Sequence, residues 1–201
     1  MTTLPKLYIV RHGETVWSLS GQHTGRTDLP LTEHGEAKAR LLAPRLAGRS
    51  FAKVLTSPLQ RAARTCELAG FGAVAELEPD LLEWDYGVYE GRRSVEIHAE
   101  RPDWDLFRDG CPGGEMPADV AARADRVIAR IRAISADGGG DVLAFASSHI
   151  LRVLAARWIG LPPTGARNVV LDTTSLGALG YEHSQNEPAI HLWNDTSHLG
   201  S

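Results

Sequence analysis

Cysteine is scarce in this sequence, since Cys66 and Cys111 are the two present and lie far apart. They form neither a disulfide framework nor a cysteine-based zinc site, so we expect two free thiols. Long apolar runs are missing too. Near the N-terminus, the apolar run LYIV is followed directly by Arg11. This run is too short for a secretory signal or a membrane span. We therefore expect a cytoplasmic protein with no membrane partner.

The sequence also lacks runs of like charge. Its formal net charge of −4 is spread along the chain, which gives no electrostatic reason to expect a nucleic-acid partner. The histidines show no metal-ligand spacing such as His-Glu-x-x-His, so we predict no metal and no cofactor. A homodimer is compatible with the sequence.

What the sequence does contain is a regular alternation of strand-like and helix-like segments. Its 201 residues, 43% of them hydrophobic, can close one substantial core, so we expect a single domain over residues 1–201. Alternating strands and helices predict an α/β fold, in three α/β/α layers around a mostly parallel sheet. Strands are expected at 7–10, 53–56, 73–77, 141–146, 168–171, 175–181 and 189–193.

Capping residues mark where helices should begin and end. Thr32 should cap a helix that Pro44 kinks or ends early, before Gly48. Ser57-Pro58-Leu59-Gln60 predicts a capping box, with the helix ending near Gly70. Further helices are expected from Pro117 to the Gly138-Gly139-Gly140 stop and over 151–159. Residues 79–115 lack a periodic pattern and are interpreted as an excursion over the active site.

Polar side chains follow three of the predicted strands. His12 comes after the first strand, Arg61 lies just after the second, and Ser147 and His149 follow the strand ending at Ala146. Because ligands bind beyond the carboxyl ends of parallel strands, we expect these residues to share one site.

These residue types suit the chemistry of a phosphate ester. Arg11 and Arg61 can each donate two hydrogen bonds to phosphate oxygens, and the helix dipole at Arg61 adds to this attraction. Imidazole can be a nucleophile if one ring nitrogen is unprotonated and the other donates its proton to an acceptor. Nearby arginines favour that neutral form of His12.

Four segments, LYIVRHGETVWS, TGRTDLPLTEHG, LTSPLQRAARTCELA and LLEWDYGVYEGR, resemble the histidine phosphatase (phosphoglycerate mutase-like) superfamily along nearly the whole chain. The resemblance is strongest to the branch of sedoheptulose bisphosphatases and small acid phosphatases. It implies a phosphoglycerate mutase-like fold, with His12 as nucleophile, Arg11 and Arg61 as phosphate ligands and Glu83 as general acid. The implied substrate contacts are Ser18, Thr24, Gly25 and Tyr86.

The sequence departs clearly from the family pattern in one place, after the strand that ends at Ala146. Ser147-Ser148 stands where the family has His-Gly, and His149 follows. If the strand continues, residues 147 and 149 point to the same side, so we hypothesise that His149 replaces the missing donor. Loss of a donor to a developing charge costs about 3–4 kcal/mol, or roughly 100- to 1000-fold in rate. We count His149 among the catalytic residues, with Ser147 and Ser148 among the substrate contacts.

The predicted function is a metal-independent phosphomonoesterase that acts on a small phosphate ester, a sugar phosphate being one option, through a phosphohistidine at His12. Two alternatives remain. One is a phosphoglycerate mutase-type phosphotransferase. The other is a weakened phosphate-binding homologue, because of Ser147.

Overall fold

The computed structural model describes residues 4–136 and 139–200, so Gly138 of the predicted helix stop lies outside the described residues. The strands are β1 (Leu7–Arg11), β2 (Lys53–Thr56), β3 (Ala75–Leu77), β4 (Val142–Ala146), β5 (Leu176–Tyr181) and β6 (Pro188–Asp195). The α-helices are α1 (Val16–Ser20), α2 (Glu33–Arg40), α3 (Leu42–Leu46), α4 (Gln60–Leu68), α5 (Ser94–Glu100), α6 (Leu106–Asp109), α7 (Pro117–Ala136) and α8 (Ser148–Trp158).

The described residues form a six-stranded sheet in the order β3-β2-β4-β1-β5-β6. The first four strands of the chain run parallel, while β5 pairs antiparallel with both β1 and β6. The prediction of a mostly parallel sheet is therefore confirmed. Parallel β1 and β4 pair with Arg11 opposite Ala146, so the residues that follow them leave the sheet side by side.

The alternation of side chains along β1 divides the core into two layers. Leu7 and Ile9 pack in one buried cluster with α7 and α8. Tyr8 and Val10 face the opposite cluster, which contains residues of α3 and α4. Helices thus cover both faces of the sheet, as predicted for a three-layer α/β/α fold.

Three predicted boundaries hold and one is wrong. The Thr32 Oγ1 accepts from the Gly35 N–H at 2.9 Å, which confirms the cap of α2. Helix α2 ends at Arg40, since Pro44 has no N–H to donate to the Arg40 carbonyl. Helix α7 begins at Pro117 as expected. The capping box at Ser57 is wrong, because α4 begins at Gln60.

The cap of α4 comes from another part of the chain. The Gln60 N–H donates to the Asp28 Oδ1 at 2.9 Å, and the Gln60 side-chain amide donates to the Asp28 carbonyl. Leu59, the residue before the helix, makes no capping bond. A partner 32 residues away supplies the cap that local spacing had assigned to Ser57.

Near the site, one predicted strand is wrong, and the hypothesis about His149 loses its geometric premise. Residues 168–171 form no strand: a 3₁₀ turn covers Pro163–Asn168, and the carbonyls of Val170 and Leu171 accept from the Trp193 and Arg11 side chains. Strand β4 does not continue to residue 149, since α8 begins at Ser148. Ser147 is the residue before that helix, so the argument that residues 147 and 149 share one side of a strand fails.

The segment 79–115 is more regular than its sequence suggests. It contains 3₁₀ turns at Pro79–Leu81 and Gly87–Tyr89, followed by α5 and α6.

Among the described residues, no helix is both long and apolar enough to cross a membrane.

Candidate active site

A cavity of about 330 Å³ opens beyond the carboxyl ends of β1 and β4. The His12 N–H donates to the Ala146 carbonyl at 2.9 Å, which continues the parallel ladder past the end of β1. The predicted site residues that line the cavity are Arg11, His12, Ser18, Thr24, Glu83, Tyr86, Ser148 and His149. A wider surface groove of about 820 Å³ near Glu36 and Arg64 contains none of them, so the chemistry points to the smaller cavity.

His12 is held as a neutral imidazole. Its Nδ1 lies 2.7 Å from the Gly13 carbonyl oxygen, which can only accept, so Nδ1 carries the proton and Nε2 keeps its lone pair. Burial, followed by the charges of Arg61 and Arg11, lowers the pKa of His12 well below 6.5. The residue is 4% exposed. His12 thus meets both conditions for an imidazole nucleophile.

Close backbone contacts fix the loop that carries His12. The Gly13 N–H donates to the Thr65 Oγ1 at 2.9 Å, and a Cβ at Gly13 would lie 2.8 Å from the Gly35 carbonyl oxygen. The Thr174 N–H lies 3.1 Å from the carbonyl oxygens of both Arg11 and His12. Thr174 adopts a left-handed conformation with φ of 64°, which is unusual for a β-branched residue. The turn between the 3₁₀ segment Pro163–Asn168 and β5 therefore holds the end of β1 in place.

Arg11 brings positive charge to the cavity wall. Its Nη1 donates to the Leu171 carbonyl at 2.5 Å, while its buried Nε has no partner among the described residues. Burial lowers the pKa of Arg11, and the charges of Glu83 and Asp172 oppose that shift. An arginine retains its charge in spite of such a shift, so it is suited to an anionic ligand.

Arg61 lies behind the cavity and is fully buried. Its Nε donates to the Ser147 Oγ at 3.3 Å and its Nη1 to the Thr27 carbonyl at 3.0 Å. Its Nη2 donates to the carbonyls of Thr24 and Gly25 at 2.9 and 3.0 Å. These four bonds use four of the five guanidinium protons, so one Nη1 proton remains. Arg61 thus ties the loop at 24–27 to the start of α8.

Glu83 joins the 79–115 segment to α8. Its Oε1 accepts from the backbone N–H groups of Trp84 and Ile150 at 2.9 Å, and its Oε2 accepts from that of His149 at 3.0 Å. Ser147 makes no side-chain cap, so a carboxylate 66 residues away caps this helix. Sequence reasoning missed this role, since no local spacing signals it.

Tyr86, His149 and His23 form an aromatic cluster at the cavity. The Tyr86 hydroxyl lies 2.5 Å from the His149 Nδ1, and the His23 and Tyr86 ring centroids are 4.7 Å apart. Burial lowers the pKa of His23 to about 4. Tyr86 and His149 were predicted from the sequence, whereas His23 was not, because it lies near Thr24 without any motif of its own.

The remaining predicted residues divide between the wall and the layer behind it. Ser18 lines the cavity, and its Oγ accepts from the Thr15 N–H at 2.8 Å in the cap of α1. Thr24 and Ser148 also line the cavity. Gly25 and Ser147 lie behind it, where both are bonded to Arg61. Arg152, Gln22, Ser94 and Asp172 line the cavity as well, although no sequence motif marked them as substrate contacts.

Among the described residues, one cluster has the geometry to hold a metal ion: Glu182, His183 and Glu187, in the exposed turn between β5 and β6. His183 Nδ1 is already paired with Glu187 at 2.9 Å. The cluster shares no residue with the cavity. The absence of a metal requirement stays a prediction.

Residues 7–196 match the family model described as the histidine phosphatase superfamily, branch 1. The chain belongs to this superfamily. An acid phosphatase of Mycobacterium tuberculosis is 37% identical over 187 residues, covering 92% of this chain and 91% of that protein. A sedoheptulose 1,7-bisphosphatase of Saccharomyces cerevisiae is 38% identical over 186 residues, covering 78% and 68%. A solved structure of a Mycobacterium tuberculosis open reading frame superposes with a TM-score of 0.89 at 35% identity, covering 94% and 97%.

These similarities confirm the predicted family, fold and enzyme class. Histidine phosphatases act on phosphate esters through a phosphohistidine intermediate, and the acid phosphatase and the sedoheptulose bisphosphatase are both phosphatases by name. This histidine phosphatase is thus a hydrolase of the phosphatase type.

Proposed function

We propose that this histidine phosphatase hydrolyses a small phosphorylated metabolite, specifically a sugar phosphate, through a phosphohistidine at His12. The observation that carries the proposal is the bond from the His12 Nδ1 to the Gly13 carbonyl, which leaves the Nε2 lone pair free on the cavity wall. A volume of about 330 Å³ lies at the lower end of the range for small-molecule sites. The name of the yeast relative, a sugar bisphosphatase, supports the choice of substrate class.

The reaction then runs in two displacements. The His12 Nε2 attacks phosphorus, the ester P–O bond breaks, and Glu83 donates a proton to the departing alkoxide. Water next attacks the phosphohistidine, the P–N bond breaks, and Glu83 takes back a proton from that water. Three backbone N–H groups occupy three of the roughly four lone-pair directions of the carboxylate, which leaves one for the proton.

Positive charge stabilises the phosphoryl group during both steps. Arg11 donates from the cavity wall, and the remaining Nη1 proton of Arg61 donates from behind it. His149 supplies the donor that Ser147 cannot. The proposed substrate contacts on the cavity wall are Ser18, Thr24 and Ser148. Gly25 and Ser147 act from behind the wall through Arg61, and Tyr86 acts through its bond to His149. We also propose that residues 1–201 form a single domain in the cytoplasm, with 79–115 lying over the site.

Ser147 is the specific observation that favours the second candidate, a weakened phosphate-binding homologue. Its hydroxyl accepts from Arg61 and is 1% exposed, so it lies in the layer behind the cavity. A mutase-type phosphotransferase is the other alternative, since it would use the same phosphohistidine.

One labelling experiment separates these functions. The protein is incubated with a ³²P-labelled sugar phosphate, quenched, and tested for an acid-labile, base-stable label. We expect label on the wild type and on His34→Ala, an exposed histidine of α2, but not on His12→Ala. Steady release of inorganic phosphate supports the phosphatase. Activation by a bisphosphate primer indicates the mutase, and label without turnover indicates the weakened homologue. No label and no release across a panel of sugar phosphates would overturn the proposal.

A pair of variants tests the part assigned to His149. We expect His149→Ala to lower phosphate release, and Ser147→His to raise it if the new imidazole reaches the phosphate. An inert Ser147→His together with a harmless His149→Ala contradicts the idea that His149 replaces the missing donor.

A further inference from the structure

We propose that Tyr86 is a positioning residue, which holds His149 in the tautomer with a proton on Nε2 and so presents a neutral N–H donor to the substrate phosphate. The inference deepens the proposed function and rests on it. His149 lines the cavity, and its Nδ1 is bonded to the Tyr86 hydroxyl. No described residue is hydrogen-bonded to its Nε2, and the side chain, which lines the cavity, is 19% exposed.

The direction of the Tyr86–His149 bond follows from the groups around it. The Tyr86 hydroxyl has no other hydrogen-bond partner among the described residues. If Nδ1 donated to the phenol oxygen, the buried phenol proton would lose its acceptor, which is unfavourable. If the phenol donates to Nδ1, both groups are satisfied and the ring proton lies on Nε2. Burial raises the pKa of Tyr86 well above 10 and lowers that of His149 well below 6.5, so both groups stay neutral.

The position of Glu83 is the reason why the tautomer of His149 has to be held by another group. Its Oε2 lies 4.0 Å from the same His149 Nδ1 and is the charged acceptor nearest to it whenever the Glu83 carboxyl is ionised. Without the Tyr86 hydroxyl, a proton on Nδ1 would be drawn towards that carboxylate. The Nε2 lone pair would then face the phosphate oxygens and repel them. The phenol therefore decides whether His149 stabilises or opposes the charge that develops on the phosphoryl oxygens in the transition state.

The phenol ring has little freedom to move away. Tyr86 is 2% exposed, and the His23 ring packs against it at an interplanar angle of 35°. On another side, a Cβ at Gly25 would lie 2.9 Å from the Tyr86 Cδ2, so the Gly25 backbone packs directly on the ring. The backbone of His149 is fixed in turn by its bond to Glu83. The hydrogen bond thus joins two immobilised partners.

Nuclear magnetic resonance of the free protein tests the tautomer without any substrate. Two-bond ¹H–¹⁵N correlation spectra are recorded on protein with ¹⁵N-labelled histidine, and His149→Ala identifies the signals. We expect a protonated Nε2 in the wild type and a protonated Nδ1, or a mixture, in Tyr86→Phe. A wild-type His149 that is protonated on Nδ1 or on both nitrogens overturns the inference. So does an unchanged tautomer in Tyr86→Phe.

Kinetics on the same proteins test the consequence. We expect Tyr86→Phe to lower kcat on the order of 100-fold, with KM changed by less than about threefold, as for removal of a donor to the transition state. Tyr89→Phe is the matched control, because the Tyr89 hydroxyl accepts from Arg101 instead of facing the cavity. A loss of kcat without a tautomer change overturns the positioning role. A tautomer change in a protein that hydrolyses no phosphate ester supports the inference about Tyr86 and refutes the proposed function alone.

Discussion

Replacing Glu83 with glutamine should destabilise the protein as well as slow it, because this carboxylate caps a helix. The amide of the new glutamine can take two flipped orientations. In the one that keeps more hydrogen bonds, the amide oxygen accepts from the Trp84 and Ile150 N–H groups, while the amide nitrogen faces the His149 N–H. One buried donor is left unsatisfied, which costs about 1–3 kcal/mol. Loss of the negative charge at the start of α8 costs roughly 0.3–2 kcal/mol more.

The expected sum for Glu83→Gln is about 1–5 kcal/mol of unfolding free energy. For a chain of this length, that corresponds to a fall in Tm of about 3–20 °C. Urea denaturation and calorimetry measure the two quantities. Glu33→Gln is the control, since Glu33 is an exposed carboxylate in the first turn of α2 and should cost under about 1 kcal/mol. An unchanged or raised Tm in Glu83→Gln would refute the capping argument and leave Glu83 a purely chemical role.

Three further predictions concern activity at low pH, stability at low pH and the loop at Gly25. The pKa of His12 is lowered by burial, Arg61 and Arg11, so kcat/KM should fall only below pH 6.5; an acid limb centred higher contradicts this. His12, His23 and His149 are neutral when folded and protonate on unfolding below pH 6.5. The free energy of unfolding should therefore drop between pH 7 and 5.5 in urea titrations, by at most about 1.4 kcal/mol per pH unit for each histidine. Gly25→Ala should raise KM and lower Tm, because the new Cβ would lie 2.5 Å from the Trp84 carbonyl oxygen. Gly140→Ala is the control, because the space around Gly140 is open. Equal effects of the two substitutions on KM and Tm would contradict the importance of the contact at Gly25.

The boundaries that sequence reasoning placed correctly depend on local chemistry. The Thr32 cap bonds a backbone group three residues away, and the missing N–H of Pro44 acts one turn back. Such signals lie within one helical turn, so the sequence contains both partners. The predicted cap at Ser57 failed because its competitor, Asp28, belongs to a distant loop.

The sequence by itself determined that strands and helices alternate, that His12 leaves the end of a buried strand, and that arginines and a carboxylate accompany it in the order typical of histidine phosphatases. It did so because side-chain periodicity, capping residues and motifs are properties of short segments. The surroundings of Ser147 and His149 were beyond its reach, since a strand or a helix at that point was equally compatible with the residues. Only the tertiary structure shows them, because the carboxylate that caps the start of α8 comes from Glu83 and the hydroxyl bonded to the His149 Nδ1 comes from Tyr86. Both partners lie more than 60 residues from His149 in the sequence, and the packing of the chain brings them to the same edge of the sheet.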